Sequence, residues 1–250
     1  MKPELIERLN QINQEFYAAF ATSFSETRKS PRELEVILPY IADGARVLDI
    51  GCSNGRVAAL LAEHRHDVMY VGIDSSPELI ARSRMHDASR RSQVASFWVA
   101  DIAKPDWTNY LPQWREEAGT GAFDCILLLA VLHHIPGSDV RARIMRQVCE
   151  LLSPRGRVVI STWQFVDNER MRKKIVPWSA AGIDEHELEP GDALLSWKRG
   201  GVGLRYCHWI GEDEMRLLAA QAGLNVVETF RAGGREGTLS LYGVLAVEAN

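Results

Sequence analysis

Short apolar runs set in a strand–helix rhythm constrain this 250-residue sequence most. They are "ARVLDIG", "DVMYVGID", "SQVASFWVAD", "FDCILLLAV" and "GRVVISTW". Helix-forming stretches punctuate them: "GRVAALLAEH", "SPELIARSRMH" and "SDVRARIMRQVCELL". Strands covered on both faces read as continuous apolar runs, and helical crossovers between them make the sheet parallel. Near the end the rhythm changes. After "EDEMRLLAAQAG", a helix stopped by Gly223, the runs "LNVVETFR" and "TLSLYGVLAVE" stand about six residues apart. That gap is too short for a helical crossover, so the final strand is expected to run antiparallel. The expected fold is α/β, Rossmann-like: a seven-stranded, mostly parallel sheet with an antiparallel last strand and helices on both faces.

Two further segments frame this sheet. Leu5, Leu9, Ile12, Phe16 and Phe20 recur at helical spacing. "SPRELEVILPYI" reads as a second helix, with Ser30 as N-cap and Pro31 in its first turn. Residues 1–45 are therefore expected to cover a site at the sheet edge. Residues 46–250 form the main domain. A stretch at about 164–211 fits neither period. It holds "LLSWKRGGVGLRYCHW", a poor helix with three glycines but too aromatic for a linker. Long insertions of this kind are usually lids.

Composition narrows the chemistry. Four cysteines, Cys52, Cys125, Cys149 and Cys207, lack CxxC spacing, which argues against a zinc knuckle or a disulfide scaffold and for a reducing cytoplasm. No metal is expected, because the His133–His134 pair lacks an evident third ligand. The charged N-terminus does not read as a secretory leader. The longest apolar run, Cys125 to Leu132, is too short for a bilayer, so no membrane partner is expected. The net charge of −4 excludes a general polyanion binder. Basic clusters do occur, at Arg82, Arg84, Arg90 and Arg91 and at Arg170, Arg172, Lys173 and Lys174, and such runs are usually solvated helix faces.

Chemistry-bearing residues fall at successive strand ends. In "VLDIGCSNGR", Gly51 and Gly55 allow a sharp turn that brings backbone N–H groups close to a ligand. Ser53 and Arg56 stand where the second and third glycines of a dinucleotide fingerprint belong, so a dinucleotide is disfavoured. Asp74 ends the second strand, where an acid suits ribose hydroxyls. Asp101 ends the third, and "LLLAVLHHI" follows the fourth.

In this order, from Arg46 to Trp163 and with the terminal hairpin, these motifs resemble the class I S-adenosylmethionine-dependent methyltransferases. The resemblance implies S-adenosyl-L-methionine as cofactor, released as S-adenosyl-L-homocysteine. It places Asp49, Gly51, Cys52, Ser53 and Gly55 beside the methionine portion. Asp74 and Ser75 fall at the ribose, and Asp101 and Ile102 at the adenine. Leu129 and Ala130 lie by the methionine end, with Tyr17, Phe24 and Arg28 reaching the cofactor from the N-terminal segment. Ser53 replaces the family's usual second glycine and fits if its backbone angles are ordinary.

"FATSFSETRKSPRELEVIL" further resembles the tRNA wobble-uridine carboxymethyl methyltransferases, through Phe24, Ser25, Thr27, Arg28 and Pro31. Val131, His133 and His134 match their Val-His-His motif. Asp192, Trp197, Arg205, Tyr206 and His208 match further on, while Ser196, Cys207 and "KRGGVGL" depart from the pattern. This resemblance implies a cytoplasmic tRNA-modification enzyme that methylates a carboxylate, alone or with a small activating partner protein. A carboxylate needs orientation rather than a base, and Arg28 or Arg205 can clamp it bidentately. Arg28 can equally clamp the cofactor's carboxylate, or pair with Glu26 or Glu33. Trp197, Tyr206 and Trp209 are candidates to stack a base, although Trp178 and Trp197 suit a lid core equally well. His133, His134 and His208 can bind the acceptor or take its proton, with one of the His133–His134 pair packing structurally. The catalytic candidates are thus Arg28, His133, Arg205 and His208, and the substrate-binding candidates are His134, Trp197, Tyr206 and Trp209. Two other functions stay open: a methyltransferase for a small carboxylic acid, phenol or quinone-like metabolite, and a non-catalytic protein that keeps the fold.

Overall fold

A computed structural model describes residues 1–26, 31–64, 67–88, 94–110, 123–234 and 236–247. The apolar runs become β1 (Arg46–Ile50), β2 (Met69–Asp74), β3 (Val94–Val99), β4 (Phe123–Leu129) and β5 (Leu152–Trp163). Between them run α2 (Arg56–Glu63), α3 (Pro77–Ala88) and α4 (Ser138–Leu151), after an N-terminal α1 (Pro3–Glu26). Short α5 (Glu169–Arg172), then β6 (Ile175–Val176), β7 (Asp192–Trp197) and β8 (Gly203–His208), precede α6 (Glu212–Gln221), β9 (Leu224–Ala232) and β10 (Ser240–Val247).

The large sheet has seven strands in the order β3-β2-β1-β4-β5-β10-β9. Pairs from β3 to β5 are parallel, and β10 runs antiparallel to both β5 and β9. Strand order reverses between β1 and β4, which opens a crevice at their carboxyl ends. Each strand feeds two cores. Leu48, Ile50, Ile126 and Leu128 pack on one face with Ile144, Met145 and Val148 of α4. Val47, Tyr70, Cys125 and Leu127 pack on the other with Val57, Ala58 and Leu61 of α2. Each fully buried leucine, isoleucine or valine contributes about 1.5–3 kcal/mol.

Two segments differ from expectation. Pro31–Tyr40 is a 3-10 helix rather than an α-helix. Pro39 lies inside it, where its ring would clash with an α-helical carbonyl four residues back. The stretch 164–211 is built around a three-stranded antiparallel sheet, β6-β7-β8, with Trp197 paired to Gly203 at the hairpin end. No strand period shows in its sequence because both faces are covered. Leu194 and Tyr206 pack against Leu5, Leu9 and Ile12 of α1. Leu195 and Cys207 pack against Phe16, Trp163 and Phe165. Glycines hold the hairpin tip against α1, and a Cβ on Gly203 would stand 2.6 Å from the Phe20 ring.

Candidate active site

A cavity of about 370 Å³ opens at the carboxyl ends of β1, β2, β3 and β4, with α1 as its roof. The loop after β1 contributes Gly51 and Ser53, the loop after β2 contributes Asp74 to Leu79, and the loop after β3 contributes Ala100 to Ala103. Leu129, Ala130, Val131, His134 and Ile135 come from the end of β4 and the 3-10 turn Leu132–His134. Asn10, Asn13, Gln14, Tyr17 and Ala18 face it from α1.

The backbone is under tension at this wall. Gly51 has φ 76°, and a Cβ there would lie 2.3 Å from a Val131 methyl. Ser53 and Ala130 are the non-glycine residues with positive φ among the described residues, at 54° and 58°. Both line the cavity. The condition set for Ser53 therefore fails, because its backbone angles are not ordinary. Its N–H donates to Asp74 Oδ2 at 2.9 Å, which helps hold the strained turn. Ala130 N–H is held by Ser161, 3.0 Å from both its carbonyl and its hydroxyl oxygen.

Carboxylates dominate the polar wall. Asp74 Oδ1 accepts the Ser76 N–H at 2.9 Å and Asp101 Oδ1 the Ala103 N–H at 3.0 Å. Burial pushes the Asp74 carboxyl up, against the backbone N–H groups of Ser76, Ser53 and Ser75. An ionised carboxylate accepts about four hydrogen bonds, so acceptor capacity is left for ligand hydroxyls. The charged residues facing the cavity are Asp74, Glu78 and Asp101, with no lysine or arginine among the described lining residues. That charge suits a cationic ligand such as a sulfonium and disfavours a pyrophosphate.

Of the cofactor residues expected from sequence, Tyr17, Gly51, Ser53, Asp74, Ser75, Asp101, Ile102, Leu129 and Ala130 line the cavity. Three do not. Asp49 is buried behind the wall and accepts the Tyr70 hydroxyl at 2.5 Å. Burial pushes its carboxyl up to about 7, against the Tyr70 hydrogen bond. Cys52 turns back toward Gly72 and Phe97, and Gly55 supplies the left-handed turn that starts α2. Arg28 and the side chain of Phe24 lie outside the described residues, as do Arg90 and Arg91.

The acceptor candidates divide. His134 lines the cavity, with Tyr17 Oη 3.1 Å from Nε2 and the Tyr206 carbonyl 3.1 Å from Nδ1. His133 is fully buried and packs on Trp163 with ring centroids 4.8 Å apart. Arg205 is buried too, its guanidinium 4.5 Å from the Trp163 ring centroid and 4.8 Å from that of Phe16. It acts there as a cation–π packing piece rather than lining the cavity. Trp197 is nearly buried, donates Nε1–H to the Arg199 carbonyl at 2.5 Å and packs edge-on to Phe16. Trp209 folds over Gly211.

Tyr206 and His208 belong to a latch. Tyr206 donates its hydroxyl to Asp192 Oδ1 at 2.7 Å, and His208 Nδ1 meets the same oxygen at 2.7 Å. His208 Nε2 lies 2.9 Å from Glu214 of α6. Arg141 of α4 bonds Glu189 at 2.8 Å and Glu214 at 3.2 Å. Burial works against a charge on His208, but Asp192 and Glu214 outweigh it and raise its pKa. This cluster ties the small sheet to α4 and α6.

Donor atoms of His133, His134 and Cys207 lie within 4.8 Å of one another, so a third ligand-type residue does stand near the pair. Both ring nitrogens of His134 are nevertheless committed to Tyr17 and Tyr206. A second group, Glu189, Asp192 and His208, is already cross-linked by Arg141 through Glu189 and by its own hydrogen bonds.

Asn13 was not expected at the site. Its Nδ2 donates to the His134 carbonyl at 3.0 Å and its Oδ1 accepts the Tyr206 N–H at 2.9 Å. A signal was present, since Asn13 shares a helical face with Leu9, Phe16 and Tyr17, where a polar residue is out of place.

Comparison with known proteins agrees with this geometry. Residues 17–229 match a family model described as a methyltransferase domain. The chain is 28% identical over 176 residues to the tRNA (carboxymethyluridine(34)-5-O)-methyltransferase ALKBH8 of Macaca fascicularis, covering 68% of this chain and 23% of that protein. It is 30% identical over 186 residues to the 27-O-demethylrifamycin SV methyltransferase of Amycolatopsis mediterranei, covering 70% and 62%. The chain thus spans about a quarter of the first relative's length and about three fifths of the second's. A solved SAM-dependent methyltransferase from Methanosarcina mazei superposes with a TM-score of 0.63 at 20% identity, over 85% of this chain and 98% of that one. The chain belongs to the methyltransferase-domain family, with the sheet of the class I S-adenosylmethionine-dependent enzymes.

Proposed function

We propose that this methyltransferase acts on a neutral, protonated oxygen, the hydroxyl or phenol of a small acceptor molecule. One observation carries the reading. Tyr17 and His134 line the cavity together with Ala130, the Tyr17 hydroxyl 3.1 Å from the His134 imidazole, and no lysine or arginine is among the described lining residues. A carboxylate acceptor needs a cationic clamp and no base, whereas a hydroxyl needs a base and no clamp. Arg205, the described candidate clamp, is engaged between Phe16 and Trp163. The rifamycin relative, named for methyl transfer to an oxygen, supports the same reading.

S-adenosylmethionine, when bound, supplies an electrophilic sulfonium methyl. The chain's own residues would hold it as follows. Backbone groups of the Gly51–Ser53 turn take the amino-acid end, Asp74 the ribose hydroxyls, and Asp101 with Ile102 the adenine. The three cavity carboxylates favour the sulfonium charge. The α1 roof limits water at the acceptor, which strengthens every polar contact inside.

Labelled S-adenosylmethionine offered with phenols, alcohols, carboxylic acids and carboxymethyluridine tRNA tests this. The expected product is an alkali-stable methyl ether on a small molecule. An alkali-labile methyl ester on tRNA would overturn it. The tRNA reading has its own support in the cations gathered around the small sheet, where burial and the charges of Arg170, Arg205 and Arg199 push the Lys174 ammonium down.

A further inference from the structure

We propose that Tyr17 and His134 form a proton relay for the acceptor, with Asn13 as the positioning residue that holds His134 in the tautomer the relay needs. This rests on the protonated-oxygen reading above.

The tautomer follows from the contacts. His134 Nδ1 faces the Tyr206 carbonyl at 3.1 Å, and a carbonyl only accepts, so Nδ1 carries the proton. In a neutral ring Nε2 is then the acceptor, and the Tyr17 hydroxyl at 3.1 Å donates to it. Asn13 enforces this from two sides. It donates to the carbonyl of His134 and accepts the N–H of Tyr206, whose own carbonyl anchors Nδ1. One buried side chain thereby fixes the α1 roof, the Leu132–His134 turn and β8 in register. The Tyr17 ring stands edge-on to the imidazole, centroids 5.8 Å apart, and both residues line the cavity.

Three further described residues surround His134. Cys207 Sγ lies 3.5 Å from Nδ1, and burial pushes its thiol up to about 12. His133 packs on the same ring at 4.2 Å, and Arg205 lies one ring further back across Trp163 as a fixed positive charge.

The step balances. The acceptor oxygen bonds the methyl carbon as the carbon–sulfur bond breaks, and that bond's electron pair goes to sulfur. The acceptor's proton passes to the Tyr17 oxygen as the Tyr17 proton passes to His134 Nε2. His134 becomes an imidazolium that keeps Nδ1–H on the Tyr206 carbonyl, and it returns its proton to solvent after release.

Two measurements test the relay. Nitrogen-15 spectra of histidine-labelled, cofactor-free protein, assigned with His134→Gln, should show the Nδ1–H tautomer at His134, and Asn13→Ala should scramble it. Tyr17→Phe keeps the ring and removes the hydroxyl. It should lower kcat about 100-fold on a hydroxyl acceptor and move the acid limb of the pH–rate profile. Wild-type turnover and an unmoved profile in Tyr17→Phe, or an Nε2–H tautomer in the wild type, overturn the relay alone. If the wild-type enzyme methylates only carboxylates, the acceptor reading falls, and the relay with it.

Discussion

At the scale of single residues, the cavity wall is where the chain departs from low-energy backbone. Ser53 at φ 54° and Ala130 at φ 58° each bear a strain of order 1 kcal/mol, and Gly51 cannot carry a side chain without displacing Val131. Ser53→Gly should therefore raise the unfolding free energy by about 0.5 kcal/mol, the released strain being partly offset by glycine's extra backbone entropy. Ser53→Val, β-branched at the same φ, should lower it by more than 1 kcal/mol (roughly). Urea unfolding of the pair checks both signs, and a stabilised Ser53→Val would show that the turn is not under tension. Gly51→Ala should cost about 1–3 kcal/mol by the same measurement, because the new methyl meets a stiff β-branched neighbour. Asp74 ties the wall to the ligand. With its carboxylate gone, ribose hydroxyls and the Ser53 and Ser76 N–H groups lose an acceptor, so Asp74→Ala should weaken cofactor binding by about 1–3 kcal/mol in calorimetry.

At the scale of elements, Arg141 joins α4 to the small sheet and α6. It is almost fully buried and is bonded to Glu189, Glu214 and the Ile135 carbonyl. Arg141→Ala should cost about 3–5 kcal/mol in urea unfolding, because it leaves two partly buried carboxylates without their cation. A loss under 1 kcal/mol (roughly) would mean that water replaces the guanidinium without penalty. This latch explains what the sequence could and could not reveal. The seven-stranded sheet was legible because each strand–helix unit is local, and its apolar runs and glycine turns sit within a few tens of residues. So were the cavity residues at strand ends, since topology alone places Gly51, Asp74, Asp101 and Ala130 at one edge. The acceptor side was not. His208, Tyr206 and Trp197 carry the residue types of a binding site, but Asp192 across the β7–β8 pair, Glu214 on the next helix and Phe16 on the far N-terminal helix turn them into packing and latch pieces. Asn13 and Tyr17 acquire their roles from His134, more than a hundred residues away. Arg205 shows the same limit, since a motif arginine fit to clamp a carboxylate proves to be sandwiched by two rings.

At the scale of the whole molecule, the buried ionisable groups set how stability follows pH. Folding raises the His208 pKa above its ordinary value, so the folded chain holds a proton there that the unfolded chain releases near 6.5. Its contribution is complete below that pH and is lost as pH rises through the folded pKa. Asp49 has the same sign, because burial lifts it from 3.8 to about 7 and stability declines across that interval as it ionises. The opposite limb comes from groups held low. Ser138 and Arg141 outweigh the burial of Glu189, and Arg46 outweighs that of Asp124, so their contributions vanish as pH falls through their depressed values. The two limbs together place maximum stability on the mildly acidic side of neutral, at about pH 4.5–6.5. Calorimetric Tm against pH at constant ionic strength should peak there and fall from pH 6.5 to 8. His208→Gln should flatten that alkaline fall, whereas Asp49→Asn should flatten the decline that ends near pH 7, since each removes a proton that folding retains. A Tm that climbs between pH 6.5 and 8 would show that the His208 proton is not held, and that its contacts with Asp192 and Glu214 involve a neutral imidazole.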